Sequence, residues 1–145
     1  MAGAGTVYEQ DASIEPRTYR ALRRAIGWSD PALDDASLGA ALDRTWNVVA
    51  RNDDRIVGIG RLLDDGALYA TIWDMIVDPD YQQRGVGRAL LDLMLARAAA
   101  RTIVALVATP HGRPLYESVG FALESNGSVG MLMRPGVRGG PAASG

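Results

Sequence analysis

The chain has 145 residues, of which 48% are hydrophobic and 22% charged, and its formal net charge is −2; these values are typical of one globular domain. It contains no cysteine, and all 15 basic residues are arginine. These absences exclude disulfides, thiolate metal sites, cysteine nucleophiles, lysine Schiff bases and the lysine-dependent phosphate loop. The single histidine, His111, excludes a multi-histidine metal cluster, and we expect no metal site.

The distribution of charge and hydropathy narrows the expected partners and location. The arginines are scattered among acidic residues rather than gathered in a basic stripe, so we expect no nucleic-acid partner. No apolar run approaches the ~18 residues of a membrane helix. Residues 1–10 lack the basic and apolar regions of a secretory signal. We therefore expect a cytoplasmic domain that makes no contact with a membrane.

The first half of the sequence predicts a short edge strand, two helices and a three-stranded meander. From the hydrophobic spacing and the turn residues, these elements are expected at residues 6–10, 16–26, 34–43, 46–51, 56–63 and 68–77. The last strand carries apolar residues on both alternating faces, which is typical of a central strand covered on both sides.

The second half alternates helices and strands. The expected elements are a helix over 85–100, a strand over 102–108, a helix over 114–119 and a final strand over 129–134. A β-branched strand that follows a helix predicts a parallel crossover from strand 68–77. The sequence therefore predicts a mixed α/β (α+β) single domain over residues 6–134. Residues 1–5 and 135–145 are expected to form a flexible N-terminus and a flexible tail.

The segment between strand 68–77 and the next helix has the features of an anion site. Gly85 and Gly87 let the backbone approach a ligand closely. The first helical turn presents unpaired N–H groups and the positive end of the helix dipole. Arg84 and Arg88 flank this turn and can donate charge-assisted hydrogen bonds to phosphates. The loop predicts a pyrophosphate site, although a lone GxG also fits a glycine-softened surface loop.

Two motifs carry a resemblance to a known family. Residues 82–87, QQRGVG, match the [QR]-x-x-G-x-[GA] signature of the GNAT superfamily of acyl-CoA-dependent N-acyltransferases, and residues 115–121, LYESVGF, resemble its LYxxxGF segment. Two motifs in the expected settings are more specific than either alone. Over residues 71–87 the pattern is most similar to aralkylamine-type members from plants and small bacterial relatives. The resemblance implies a GNAT-like fold, in which four helices flank a central twisted mixed sheet of six to seven strands.

The resemblance implies acetyl-CoA as the cofactor. Its pantetheine would pair with the main chain of Met75 and Val77, and the N–H of Met75 or Ile76 would face the thioester carbonyl. The pyrophosphate would be held by a loop whose cofactor-binding residues are Gln82, Gln83, Arg84, Gly85, Val86, Gly87 and Arg88. Thr109, which stands where the family has an asparagine, and Tyr116 complete the expected cofactor contacts.

For catalysis, the resemblance makes Tyr116 the general acid, because a phenol with a pKa near 10 is protonated at neutral pH; anchoring of a short helix is the alternative. Asp74, the only charged residue in strand 68–77, is the candidate base. It shares a face with Ile72 and Ile76 unless a β-bulge re-aims it, and it can equally form a structural pair with an arginine such as Arg61. Ordered water and His111 are the other candidates for the base.

The acceptor pocket is expected at the N-terminal helices, with Trp28, Trp73 and Tyr81 in its wall. An aromatic lining favours a hydrophobic amine, so we expect transfer of acetyl from acetyl-CoA to a primary amine of a small aryl-alkyl or hydrophobic molecule in a ternary complex. A protein N-terminal or lysine acetyltransferase and a non-catalytic acyl-CoA-binding module are the alternatives. The resemblance also leaves a homodimer open, since members of the superfamily are often dimers.

Overall fold

The first part of the chain forms one sheet with helices on both of its faces. A computed structural model describes residues 5–137, and these form two units that divide between Val107 and Ala108. The first unit contains β1 (Thr6–Gln10), α1 (Pro16–Ala25), α2 (Asp35–Asp43), β2 (Trp46–Asn52), β3 (Arg55–Asp64), β4 (Tyr69–Val77), α3 (Val86–Arg97) and β5 (Ile103–Leu106). The second unit contains α4 (Arg113–Ser118). Of the termini expected to be flexible, residues 1–4 and 138–145 lie outside the described residues, whereas Gly5 and a short 3-10 helix, Pro135–Val137, lie within them.

The five strands lie in chain order, β1-β2-β3-β4-β5. All neighbours are antiparallel except β4 and β5, which are parallel and are joined through α3, as the crossover prediction required. The mixed α/β class, the four helices and the first five strands are confirmed. No helix within residues 5–137 has the length and apolar character needed to span a membrane.

The expected total of six to seven strands is wrong for the described residues, which form five. Residues 121–134 contain no strand, although a strand was expected over 129–134. Val129, Met131 and Met133 are 78%, 88% and 84% exposed, and Leu132, on the alternate face, is 56% exposed. A strand is stabilised by a ladder partner and by one buried face, and this segment has neither within residues 5–137.

The core on one face of the sheet is built by α1 and α2. Their buried side chains Tyr19, Leu22, Leu38 and Leu42 pack with Ile14, Val49, Ile59 and Ile76. Proline at the first position of α1 suits a helix start because its φ is already helical. The Asp34 carboxylate caps α2 by accepting a hydrogen bond from Ser37 N–H at 2.6 Å.

Helix α3 covers the other face, and glycine in β3 makes room for it. The buried residues of α3 are Val86, Leu90, Leu91 and Met94. A Cβ at Gly60 would lie 2.6 Å from Met94 Cε and 2.8 Å from Met75 Sδ. Glycine at this position therefore lets the ends of the two methionine side chains pack against β3, and a larger residue would displace them.

A β-bulge interrupts β4. Ile76 pairs with Ile59 and Trp73 with Arg61, so two residues, Asp74 and Met75, lie opposite Gly60. Asp74 has a φ of +51°, in the left-handed region. One extra residue reverses the alternation of side chains beyond it. Ile76 consequently joins the α1/α2 core, whereas Ile72, opposite Leu62, lies on the α3 face, and the expectation that these two isoleucines share a face is wrong.

The pairing between β4 and β5 stops at the bulge. Only residues 69–72 of β4 pair with β5, at residues 103–106. Along residues 73–77, the same edge of β4 has no strand partner within the described part of the first unit. Apart from Val77 O, which accepts a hydrogen bond from the Gln82 side chain, the backbone groups on this edge can pair with an extended ligand.

An ion pair at the end of β3 gives a prediction for stability. The Asp64 carboxylate accepts hydrogen bonds from Arg101 Nε at 2.6 Å and Arg101 Nη2 at 2.9 Å. The pKa of Asp64 is lowered from 3.8 to about 2, chiefly by these bonds from the Arg101 guanidinium and then by a bond from the Gly66 N–H. Because the pKa is lower in the folded state, the ionised carboxylate stabilises the fold at pH values above the pKa of the unfolded state. This contribution is lost as pH falls from about 4 to about 2.

We therefore expect Asp64→Asn to lower the free energy of unfolding at neutral pH by about 1–2 kcal/mol, since water near the surface weakens the pair. The difference between the two proteins should shrink towards pH 2. Urea unfolding at both pH values measures it. Asp54→Asn, at an exposed turn carboxylate, is the matched control. If Asp64→Asn lowered the free energy of unfolding equally at both pH values, the stabilising role of the ionised Asp64 carboxylate would be contradicted.

Candidate functional site

The loop between β4 and α3 presents a row of unpaired backbone donors. Gly85 precedes α3 with φ +82°, and Gln83 also has a positive φ, +60°. The first hydrogen bond of the helix runs from Ala89 N–H to Gly85 O at 3.0 Å. The N–H groups of residues 83–88 have no acceptor within residues 5–137. These donors point to an anion site at a helix N-terminus.

The loop is fastened to the sheet by side chains. The buried Asp78 carboxylate accepts hydrogen bonds from Arg55 and from Asp80 N–H, the latter at 2.9 Å. Gln82 Nε2 donates to Val77 O at 3.0 Å. The Gln82 side chain thus braces the loop against the end of β4. Sequence reasoning missed Asp78 and Arg55; the available signal was an aspartate directly after a buried strand.

The two loop arginines keep positive charge beside the donors. Arg84 lies over the Tyr81 ring, with Cζ 5.4 Å from its centroid. Arg88 forms an exposed pair with Asp92, with Nε and Oδ1 3.0 Å apart. Exposed pairs of this kind are weak, so Arg88 is available to a bound phosphate. Tyr81, expected in the acceptor pocket, lies at this loop.

Asp74 is held at the bulge by three side chains. Its Oδ2 accepts hydrogen bonds from Tyr19 Oη at 2.7 Å and Arg61 Nη1 at 2.8 Å. Arg23 Nη1 lies 3.5 Å from Oδ1. The Asp74 side chain is 12% exposed. This is the pairing with Arg61 that the sequence left open beside a role as base.

A small pocket opens next to this cluster. It is lined by Thr45, Arg61, Leu63, Trp73 and Asp74. Trp73 is 42% exposed, and its Nε1 donates to Thr71 Oγ1 at 2.9 Å. The structure therefore brings Trp73 and Asp74 together on the α1/α2 face of the sheet.

Trp28, the other tryptophan expected in the acceptor pocket, lies outside the pocket that Trp73 lines. Trp28 packs against the α1/α2 core. The Arg23 guanidinium lies over its ring, with Cζ 5.2 Å from the centroid. Trp28 therefore does not line the pocket beside Trp73, although it contacts a member of the Asp74 cluster.

In the second unit, Tyr116 lies on α4. Its ring packs edge-on against Phe121, with the centroids 6.0 Å apart, and Phe121 N–H donates to Tyr116 O at 3.1 Å. Burial raises the pKa of the Tyr116 phenol above 10.0. The phenol therefore remains protonated at neutral pH, as a proton donor must.

The loop before α4 contains the remaining expected site residues. Thr109 Oγ1 accepts a hydrogen bond from Gly112 N–H at 3.1 Å, so this hydroxyl helps to start the helix. His111 is exposed. The cofactor contact expected for Thr109 and the alternative role of His111 as base stay predictions.

The geometry of the first unit defines an α/β domain whose open strand edge leads into a row of unpaired amides at a helix N-terminus. The family model described as "Acetyltransferase (GNAT) domain" matches residues 43–123. This match covers more than half of the chain, including the β4–α3 loop and the segment around Tyr116. The chain belongs to the GNAT acetyltransferase family.

Known relatives agree with this membership. The soybean (Glycine max) protein "Histone acetyltransferase TAP1" is 28% identical over 143 residues, which cover 89% of this chain and 61% of that protein. The chain thus spans about three fifths of that relative's length.

Solved structures share the fold. A GNAT-family acetyltransferase from Streptococcus pneumoniae has a TM-score of 0.76 and 26% identity over 89% of this chain and 97% of its own. A structure described as a predicted acetyltransferase with acetyl-CoA, from Clostridium acetobutylicum, has a TM-score of 0.65 and 18% identity over 88% of this chain and 96% of its own. None of these three names mentions an aralkylamine, so the finer likeness to that subtype stays a prediction.

Proposed function

We propose that this domain moves an acetyl group from acetyl-CoA to a primary amine of a small, aryl-alkyl or hydrophobic molecule. The observation that carries the proposal is the row of N–H groups at residues 83–88, which have no acceptor within the described chain. Backbone donors at a helix N-terminus suit a pyrophosphate. When bound, acetyl-CoA supplies an activated acetyl group.

The open edge of β4 supports an extended ligand beside this anion site. Residues 73–77 have no strand partner along one edge, where only Val77 O is occupied, by the Gln82 side chain, and the strand leads directly into the loop. Met75 and Val77 would pair with the pantetheine, and the N–H of Met75 or Ile76 would stabilise the developing oxyanion. The loop donors would hold the pyrophosphate, with Arg84 and Arg88 adding charge.

Proton transfers complete the proposed reaction. By its place in the LYxxxGF segment, Tyr116 would donate a proton to the departing sulfur, and its raised pKa keeps that proton available at neutral pH. The contacts of Asp74 with two arginines favour ordered water over Asp74 as the group that deprotonates the amine.

The pocket beside β4 supports the choice of acceptor. Trp73 and Leu63 offer exposed apolar surface there, next to the strand edge proposed for the acetyl group. An aromatic or alkyl body would bury this surface on binding. We further propose a cytoplasmic location, which was expected from the sequence, and a homodimer, which the family resemblance leaves open.

One observation favours a second candidate. The soybean relative carries the name of a histone acetyltransferase, which supports a lysine side chain or a protein N-terminus as the acceptor. Both reactions use the same chemistry at nitrogen, so the substrates must be compared directly.

A thiol-release assay tests the proposal. Acetyl-CoA is incubated with the protein and with matched acceptors, namely phenethylamine, a polyamine, a histone-tail peptide and the same peptide with acetylated lysines. We expect turnover with phenethylamine to exceed that with the peptide. Preference for the unmodified peptide would favour the second candidate. Binding of acetyl-CoA without turnover on any acceptor would indicate a non-catalytic acyl-CoA-binding module.

A further inference from the structure

We propose that Asp74 is a positioning residue: clamped by Tyr19 and Arg61, it fixes the bulge in β4 and thereby orients the strand edge that faces the acetyl group. The inference rests on the proposed function, because that function places the thioester at the edge of β4. It assigns the Asp74 side chain a task other than proton transfer.

The backbone at Asp74 is in a conformation that needs support. Its φ of +51° lies in the left-handed region, which aspartate and asparagine enter more readily than other residues with a side chain. The next two residues, Met75 and Ile76, carry the N–H groups proposed to face the thioester carbonyl. A change of conformation at residue 74 would therefore turn those N–H groups.

The clamp connects the bulge to two other elements. Tyr19 comes from α1 and is 4% exposed, and Arg61 comes from β3. The Arg61 guanidinium is itself fixed, because Nε donates to Thr45 Oγ1 at 3.1 Å and Nη2 donates to Ala41 O at 3.2 Å. Side chains held by such second contacts have little rotamer freedom. The Asp74 carboxylate is thus fixed from two sides.

The same contacts leave Asp74 poorly suited to accept a proton. Oδ2 already accepts two hydrogen bonds, from Tyr19 and Arg61, which occupy both of its lone pairs. Oδ1 faces Arg23 at 3.5 Å. A carboxylate in this setting is suited to hold geometry.

Tyr19→Phe tests the clamp without touching Asp74. The variant keeps the buried ring and removes one donor to Oδ2. Tyr8→Phe is the matched control, because the Tyr8 hydroxyl is buried with no hydrogen-bond partner in the described chain. We expect Tyr19→Phe to lower kcat about tenfold and to change the Kd for acetyl-CoA by less than about twofold, since the loop at residues 83–88 is untouched. Tyr8→Phe should leave both unchanged.

Conservative and non-conservative variants of Asp74 separate positioning from proton transfer. Asparagine tolerates the left-handed φ and still accepts from Tyr19 and Arg61, so Asp74→Asn should keep kcat within about threefold of wild type. Asp74→Ala removes the carboxylate that Tyr19 and Arg61 hold, so its kcat should fall at least about tenfold. If Asp74→Asn is as inactive as Asp74→Ala, Asp74 is the base and the proposal is wrong.

A measurement without turnover keeps this proposal distinct from the proposed function. Amide hydrogen exchange at Ile59, which pairs with Ile76 beside the bulge, should accelerate in Tyr19→Phe and stay unchanged in Tyr8→Phe in the absence of acetyl-CoA, because loss of the clamp loosens the bulge. Equal exchange in wild type and Tyr19→Phe would overturn the clamp. If exchange responds and yet wild type turns over no amine, the clamp stands and the proposed function fails.

Discussion

Replacing Gly85 by alanine should weaken acetyl-CoA binding by about tenfold or more. Gly85 has φ +82° at the start of α3, where a Cβ costs about 1–2 kcal/mol. The protein can relieve that strain by turning the loop, and this would misalign the N–H row of residues 83–88. Several N–H groups would then no longer point at the pyrophosphate, so the loss of binding free energy should exceed the strain energy at Gly85 alone. Isothermal titration with acetyl-CoA measures the change.

Gly66→Ala is the matched control for this prediction. Gly66 has φ +83° in the β3–β4 turn, and a Cβ there would meet nothing within 4 Å. Its alanine variant carries a similar backbone strain but lies outside the anion loop. We expect both variants to melt at a lower temperature and only Gly85→Ala to lose affinity for acetyl-CoA. Equal losses of affinity would show that the effect comes from general destabilisation.

The same loop shows how far the sequence predicts the site. Spaced glycines after a buried strand indicated an anion site at residues 82–88, and the structure presents unpaired amides there. Gln82 was assigned to the cofactor site, and its side chain donates to Val77 O. The sequence motif identifies the loop, but it does not tell whether the Gln82 side chain contacts a ligand or holds the loop against β4. That distinction depends on which atoms the fold brings within hydrogen-bond distance.

The bulge in β4 marks the point where the sequence prediction fails. Strict alternation placed Ile72, Asp74 and Ile76 on one face, but one extra residue opposite Gly60 breaks that pattern. A bulge depends on the partner strand, because its register is set across the sheet. The pairing of Asp74 with Arg61 on the adjacent strand was one of the sequence's alternatives, whereas the bond from Tyr19 joins residues far apart in the sequence. Periodicity within one segment cannot reveal such contacts.

The strand expected over residues 129–134 failed for a related reason. Val129, Met131 and Met133 have the apolar, alternating character of a strand, and the pattern was interpreted that way. A β-strand is completed by its neighbour, and within residues 5–137 this segment has none. The helices were more predictable because their hydrogen bonds are local: α1 begins at a proline and α2 at a capping aspartate, both visible in the sequence.

Replacing Tyr116 by phenylalanine should lower the rate of acetyl transfer about a hundredfold, which is within the usual contribution of a general acid. The Tyr116 ring packs edge-on against Phe121, and phenylalanine keeps this packing, so the melting temperature should change little. Affinity for acetyl-CoA should stay within about twofold, because the pyrophosphate donors lie elsewhere in the chain.

Single-turnover transfer to phenethylamine is the appropriate measurement for Tyr116→Phe, because slow product release can hide a change in chemistry. Burial raises the pKa of the Tyr116 phenol above 10.0, so wild type should show no alkaline loss of rate that depends on Tyr116 below about pH 10. A variant that transfers acetyl at the wild-type rate would remove Tyr116 from the mechanism. The phenol would then serve to anchor α4, and water would have to protonate the departing thiolate.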